Sequence, residues 1–186
     1  MKKVALYLTL LALLLLSVLL VVLIYNSLVV KRNAVDNAWS QIDVQLKRRH
    51  DLVPNLVRAV QGYAAHERRT LEAVLAARSE AVRPAGPERR AQAESALSAA
   101  IGGVMAIAEA YPQLRAGENF AALQEELATG ENRIAYARQY YNDAVLAYNN
   151  ALHTVPSNLV AGLTGHRERE YFRTADPERG PVEVRF

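Results

Sequence analysis

The stretch VALYLTLLALLLLSVLLVVLI (residues 4–24) runs without a Gly or Pro break into YNSLVVKRNAVDNAWSQIDVQLKRRHDLVPNLVRAVQGYAAHE (residues 25–67), and this join decides the fold. The first part is 21 residues long with no charged side chain, close to the ~20 that a helix needs to cross ~30 Å of hydrocarbon. A cleaved signal peptide would have a shorter apolar core followed by a small-residue cleavage site. Here Tyr25 and Asn26 follow and the helical pattern continues, so the segment is expected to remain as an anchor. Tyr7 and Tyr25 stand near its ends, where amphipathic rings favour the membrane interface. Lys2, Lys3 and the terminal amine flank one side and Lys31 and Arg32 the other, so the positive-inside count is nearly tied. The two N-terminal lysines tip the expectation toward a cytoplasmic N-terminus with the C-terminal domain outside.

Beyond the anchor, Val35, Trp39, Ile42, Leu46, Val53, Leu56 and Val60 recur at spacings of three and four, and only Arg49 breaks the register. This stripe predicts a long amphipathic helix that another element must cover. Pro54 inside the pattern removes an amide donor and crowds the preceding turn, which predicts a kink near residues 50–54. Gly62 marks a second break, after which Leu71, Val74, Leu75 and Ala76 extend an apolar face to about Val82. RPAGPERR (residues 83–90) reads as a turn, with Pro87 at the first position of a helix over residues 88–110 that stops before Pro112. Gly102 and Gly103 interrupt that helix, and close approach of a neighbouring backbone is the expected compensation. In the last helix Phe120, Leu127, Ile134, Tyr141 and Tyr148 share one heptad position, and Leu123, Gly130, Ala137, Ala144 and Ala151 share the other. Asn119 is the expected N-cap and Pro156 closes the far end. The fold class is therefore all-α: an N-terminal transmembrane helix over residues 4–24, then an antiparallel four-helix-type bundle over residues 25–156 with a long, kinked first helix. Residues 157–186 are expected to form an apolar patch and a partly flexible tail.

Composition narrows the function. The chain has 186 residues and no cysteine, which excludes a disulfide framework, a thiolate metal site and a Cys nucleophile. Beyond residue 30 the charges are 20 basic against 19 acidic, a balance that gives no nucleic-acid footprint. His66 and Glu67 begin a zincin-like motif, but Thr70 stands where the second His belongs. None of His50, His66, His153 or His166 has a Glu three residues before it, so the Glu-x-x-His pattern of a di-iron bundle is missing. No phosphate-binding loop or nucleophile elbow occurs, and the motifs call for no cofactor, catalytic set or metal site.

Two polar clusters remain. Asp43, Lys47, Arg48, Arg49 and Asp51 form a candidate interaction surface on the first helix, with Asp43 and Lys47 paired at i, i+4. Arg49, in the apolar register, requires a carboxylate or carbonyl partner if it turns inward. Asn132, Tyr141, Asn142 and Asn149 form a candidate polar network on the last helix, where buried Tyr and Asn need hydrogen-bond partners. The strand-like PVEVRF (residues 181–186) is a candidate for pairing with a partner's sheet edge.

The strings YNSLVVKRNAVDNAWSQIDVQLKRRHDLVPNLV, GYAAHE, AEAYPQLRAGENFAALQEEL, ENRIAYARQYYNDAV, YNNAL and PSNLVAGL, in this order, resemble the LemA family of bacterial membrane proteins. The resemblance runs from Tyr25 to the C-terminus. It implies an N-terminal transmembrane helix and an antiparallel helical bundle, and it brings no catalytic residue set. Gly130, Thr164 and His166 depart from the family pattern, at the middle of the last helix and in the C-terminal segment. The expected function is a membrane-anchored, non-enzymatic scaffold or adaptor of the cell envelope, with the bilayer as partner and a second copy or other envelope proteins as further partners. A ligand-binding or enzymatic module using polar groups inside the bundle is the alternative.

Overall fold

The computed structural model describes residues 2–83 and 85–173, and among them the regular structure is entirely helical. The elements are α1 (Lys2–Gln61), α2 (Arg68–Val82), α3 (Pro87–Glu109), the single turn α4 (Pro112–Arg115), α5 (Glu118–His153) and α6 (Ser157–Thr164). The chain divides into two compact units, Met1–Ser40 with Tyr140–Arg169 and Gln41–Gln139 with Glu170–Phe186, so α1 and α5 contribute to both.

In the first unit, residues 4–24 of α1 are apolar and nearly all exposed within the protein, as a lipid-facing span requires. Past the span α1 turns Leu28, Val35 and Ala38 inward. Trp39 packs against Tyr141, ring centroids 5.3 Å apart, while Leu28 shares a cluster with Ala151 and Leu152, so α5 runs antiparallel to α1. The apolar stretch read as a patch is a helix, α6, which lays Val160 and Ala161 on Leu28 and Ile24. Gly165 ends it in the left-handed conformation (φ 71°) that costs a glycine least.

In the second unit, Val53, Leu56 and Val60 of α1 share one core with Leu71 and Val74 of α2, Leu97 and Val104 of α3, and Phe120 and Leu127 of α5. Asp43 meets Arg90 and Arg49 meets Ser98, so α3 runs parallel to α1. The chain reverses between α2 and α3, so that Thr70 near the start of α2 faces Gly103 near the end of α3. α3 is apolar enough to resemble a membrane span, but Leu97 and Val104 are fully buried in this core.

Pro54 sits inside α1, which continues to Gln61 before Gly62. Other local expectations change. The glycine pair in α3 does not admit a neighbouring backbone: a Cβ on Gly102 would meet nothing within 4 Å, and one on Gly103 would meet only the Thr70 side chain at 3.5 Å. Asn119 does not cap α5, which begins at Glu118. The carbonyl of Gly117 accepts the first amides, from Phe120 at 3.0 Å and Ala121 at 3.1 Å. A Cβ there would come within 3.1 Å of the Leu114 carbonyl, so the tight turn after α4 selects glycine. The expected edge-pairing segment, residues 181–186, lies outside the described residues.

Candidate functional site

Arg49 is the point where the apolar register of α1 is broken, and the second unit is built around it. Its side chain is 3% exposed. One terminal nitrogen donates to Ser98 Oγ at 2.9 Å and to Glu131 Oε2 at 2.5 Å. The other donates to a carboxylate oxygen of Glu94 and, at 3.1 Å, to the Glu94 carbonyl. The second Glu94 oxygen lies 2.7 Å from His50 Nε2, and the His50 carbonyl accepts from Arg78 Nε at 2.7 Å. Helices α1 and α3 are thus tied by an ion pair that water scarcely reaches, and Glu131 of α5 and Arg78 of α2 join it at the same level.

Glu94 and Glu131 are unequal partners. The Glu94 side chain is 5% exposed and that of Glu131 56%. A carboxylate half in water attracts Arg49 through a high effective dielectric, whereas Glu94 offsets the desolvation of the guanidinium directly. Arg49 Nε is buried and has no hydrogen-bond partner among the described residues.

Beside this cluster lies an open cavity of about 420 Å³. Ile101, Met105, Leu127 and Gly102 supply apolar wall, and Arg49, Ser98, Gln124 and Glu131 supply polar groups. The bare Cα of Gly102 helps to leave this space open. The volume falls in the range of small-molecule sites. Among the described residues no group of three His, Asp or Glu side chains could hold a metal ion.

The five residues read as an interaction surface have different environments. Arg49 belongs to the core cluster just described. Asp43 is half-buried, 3.2 Å from Arg90 Nη2. Arg48 is exposed and makes a two-oxygen contact with Glu126 at 2.8 and 2.9 Å. Lys47 and Asp51 are exposed. The expected polar network is likewise divided. Asn132, in the second unit, is exposed. In the first unit Tyr141 packs on Trp39, Asn142 is half-buried, and Asn149 exchanges two hydrogen bonds with the backbone of Arg169 at 2.9 and 3.0 Å. The start of the C-terminal segment, up to Arg169, is therefore pinned rather than loose, and Arg169 adds an ion pair to Asp36 at 2.9 Å.

Sequence reasoning missed His50 and Glu94. The signal was present for Glu94: with Leu97, Ile101, Val104 and Ala108 it continues a three-four spacing, so a carboxylate stands in the core register of α3 as Arg49 does in α1. His50 had no such signal, being adjacent to Arg49 rather than on the stripe. His166, noted as a departure, accepts or donates at 2.9 Å to Tyr148 Oη and meets Tyr25 edge-on at 6.1 Å. Burial, helped by Arg32, lowers the His166 pKa, and burial raises that of Tyr148 against the opposing effect of Arg169 and Arg32.

Comparison with known proteins adds lineage to this geometry. A profile of the LemA family matches residues 38–186. Magnetosome protein MamQ 2 of Paramagnetospirillum magneticum is 27% identical over 184 residues, covering 85% of this chain and 68% of the relative. Magnetosome protein MamQ of Magnetospirillum gryphiswaldense is 26% identical with the same coverage. Protein LemA of Metamycoplasma hominis is 24% identical over 163 residues, covering 86% of this chain and 73% of the relative.

Proposed function

The chain belongs to the LemA family, and on that premise we propose that it is a non-catalytic scaffold or adaptor of the bacterial cell envelope, anchored by residues 4–24 with its C-terminal domain on the extracytoplasmic side. The observation that supports this reading most is the continuity of α1, one 60-residue helix that carries both the apolar segment and the buried stripe of a helical core. The apolar anchor and the start of the core stripe are thus read along one continuous helix. The exposed side chains Lys47 and Asp51, together with the Arg48–Glu126 pair, form the proposed partner surface. The Arg49–Glu94–His50 cluster then serves to fix helix register, a role that buried ionic groups fill in some helical assemblies.

The test is in-cell photo-crosslinking from Lys47 and Asp51. Recurrent adducts with other envelope proteins support the adaptor. Adducts with a second copy alone turn the reading toward self-assembly, and the absence of adducts from every exposed position along residues 31–60 overturns it. Protease access to the C-terminal tail in spheroplasts tests the orientation.

One observation favours a second reading, a ligand-binding module: the cavity of about 420 Å³ is lined by apolar side chains together with Arg49, Ser98, Gln124 and Glu131. Two carboxylates already face the single guanidinium of Arg49, so this site disfavours an anion. It suits a small neutral molecule with an apolar body and one oxygen acceptor. Gly102→Leu, which projects a side chain where a Cβ meets nothing, should abolish binding of such a molecule while the bundle stays folded.

A further inference from the structure

α6 carries two faces with opposite environments. Val160 and Ala161 are buried against Leu28 and Ile24 of α1. Leu159 and Leu163, one turn apart on the same row, are 65% and 88% exposed, and Val155 in the turn before the helix is 73% exposed. Among the described residues nothing covers these large aliphatic side chains. Their position along α1 explains this.

Ile24 is the last residue of the apolar run, and it is half-buried because the α6 cluster packs on it. Leu28 lies four residues further, about 6 Å along the helix axis at 1.5 Å per residue. The headgroup layer on each side of the hydrocarbon is roughly 5–7 Å thick. A segment packed on both Ile24 and Leu28 therefore lies at headgroup depth. Lys31 and Arg32 follow about 10–12 Å beyond Ile24, where their side chains reach the phosphates. Arg167, two residues past Gly165 at the end of α6, is a third cation in the same unit.

We infer that α6 is an interfacial helix, which sets Val155, Leu159 and Leu163 into the headgroup and upper acyl region of the leaflet that residues 4–24 leave. The occupant of this apolar row is lipid of the same bilayer. The inference rests on residues 4–24 spanning that bilayer and goes beyond it, because it gives the protein a second, peripheral contact. A tethered helix with one apolar and one packed face lies flat in the interface. Two contacts, one spanning and one lateral, restrict tilt and rotation of α1 about the membrane normal, which a single span leaves free.

The chain contains no cysteine, so single labelling sites can be introduced in the full-length protein. Leu159→Cys, Leu163→Cys and, within the span, Leu15→Cys are each labelled with a nitroxide and placed one chain per lipid nanodisc containing phosphatidylglycerol and phosphatidylcholine. Collision rates with oxygen and with a water-soluble nickel chelate give the depth of each label. The expected result is that labels at 159 and 163 collide several-fold more with oxygen than with the chelate, approaching the label at 15. If 15 lies in the bilayer while 159 and 163 behave as a nitroxide free in water, α6 is not interfacial although the anchor stands. An aqueous label at 15 overturns the anchor and the inference with it. Protection at 163 that appears only in discs holding two chains shows a contact between copies and also overturns it. Both side chains are exposed, so neither substitution threatens the fold.

Discussion

Removing Glu94 should damage the protein far more than removing Glu131, although both carboxylates touch Arg49. In Glu94→Gln the guanidinium, 3% exposed, keeps Ser98, the carbonyl of residue 94 and only the half-exposed Glu131. Taking away one member of a buried pair leaves an uncompensated charge and costs about 3–5 kcal/mol. Glu131→Gln loses a charge whose interaction is largely screened, with an expected cost of about 0–1 kcal/mol. Arg49→Met reverses the imbalance by stranding Glu94, again at about 3–5 kcal/mol. The double variant Arg49→Met/Glu94→Gln buries no net charge and keeps an amide oxygen for His50, so its loss should stay below about 2 kcal/mol. The assay is urea unfolding of the full chain in nanodiscs, followed by helical circular dichroism, with the four chains combined as a double-mutant cycle. Equal losses for Glu94→Gln and Glu131→Gln, or a double variant as unstable as the sum of the singles, would refute the account of the core cluster.

Other consequences follow from the same geometry. Gly102→Ala and Gly130→Ala replace helical glycines whose Cβ would meet nothing within 4 Å, so each should raise stability by roughly 0.5–1 kcal/mol in the same urea assay. Because the folded His166 holds its proton less tightly than the ordinary 6.5, the unfolded chain binds more protons as pH falls through that value. Docking of the C-terminal segment is then at full strength above about pH 6.5 and weakens below it, which proton NMR of His166 with its neighbours Tyr148, Tyr25 and Arg32 intact would follow. His166→Phe should flatten the acid side of that profile. The raised Tyr148 pKa has the opposite sign, favouring the folded unit up to about pH 10 and losing that contribution as the phenol ionises above it. Asn149→Ala should leave the Arg169 amide and carbonyl without their partners and cost about 1–3 kcal/mol in unfolding or show as faster amide exchange at residue 169.

The heptad residues were readable because helices bury one stripe whatever their neighbours: Phe120, Leu127, Ile134, Tyr141 and Tyr148 are all buried at the position their spacing gave them. Arg49 was readable as a problem, a cation in an apolar register, but its solution was not, because Glu94 is 45 residues away and their meeting depends on how α1 and α3 align. The glycine pair misled for a related reason: periodicity registers a missing side chain without saying whether backbone, side chain or space replaces it. At Gly102 it is space, and only three dimensions show a cavity. α6 was visible as apolar composition, yet its meaning comes from its seat on Ile24 and Leu28, a tertiary fact. The cap of α5 lies at Gly117 rather than Asn119, where the turn after α4 would bring a Cβ within 3.1 Å of the Leu114 carbonyl, a constraint of backbone geometry that an N-cap preference does not encode.

The proposal of a scaffold rather than a chemical site is tested most directly by separating the buried cluster from the surface. Photo-crosslinking from Lys47 and Asp51 in cells is compared between the native chain and the Arg49→Met/Glu94→Gln variant, with unfolding measured on both. A scaffold predicts the same adducts in the same proportions, since the exposed face is unchanged. Loss of those adducts from a chain that remains folded and membrane-bound would contradict it and place the function at the Arg49 cluster.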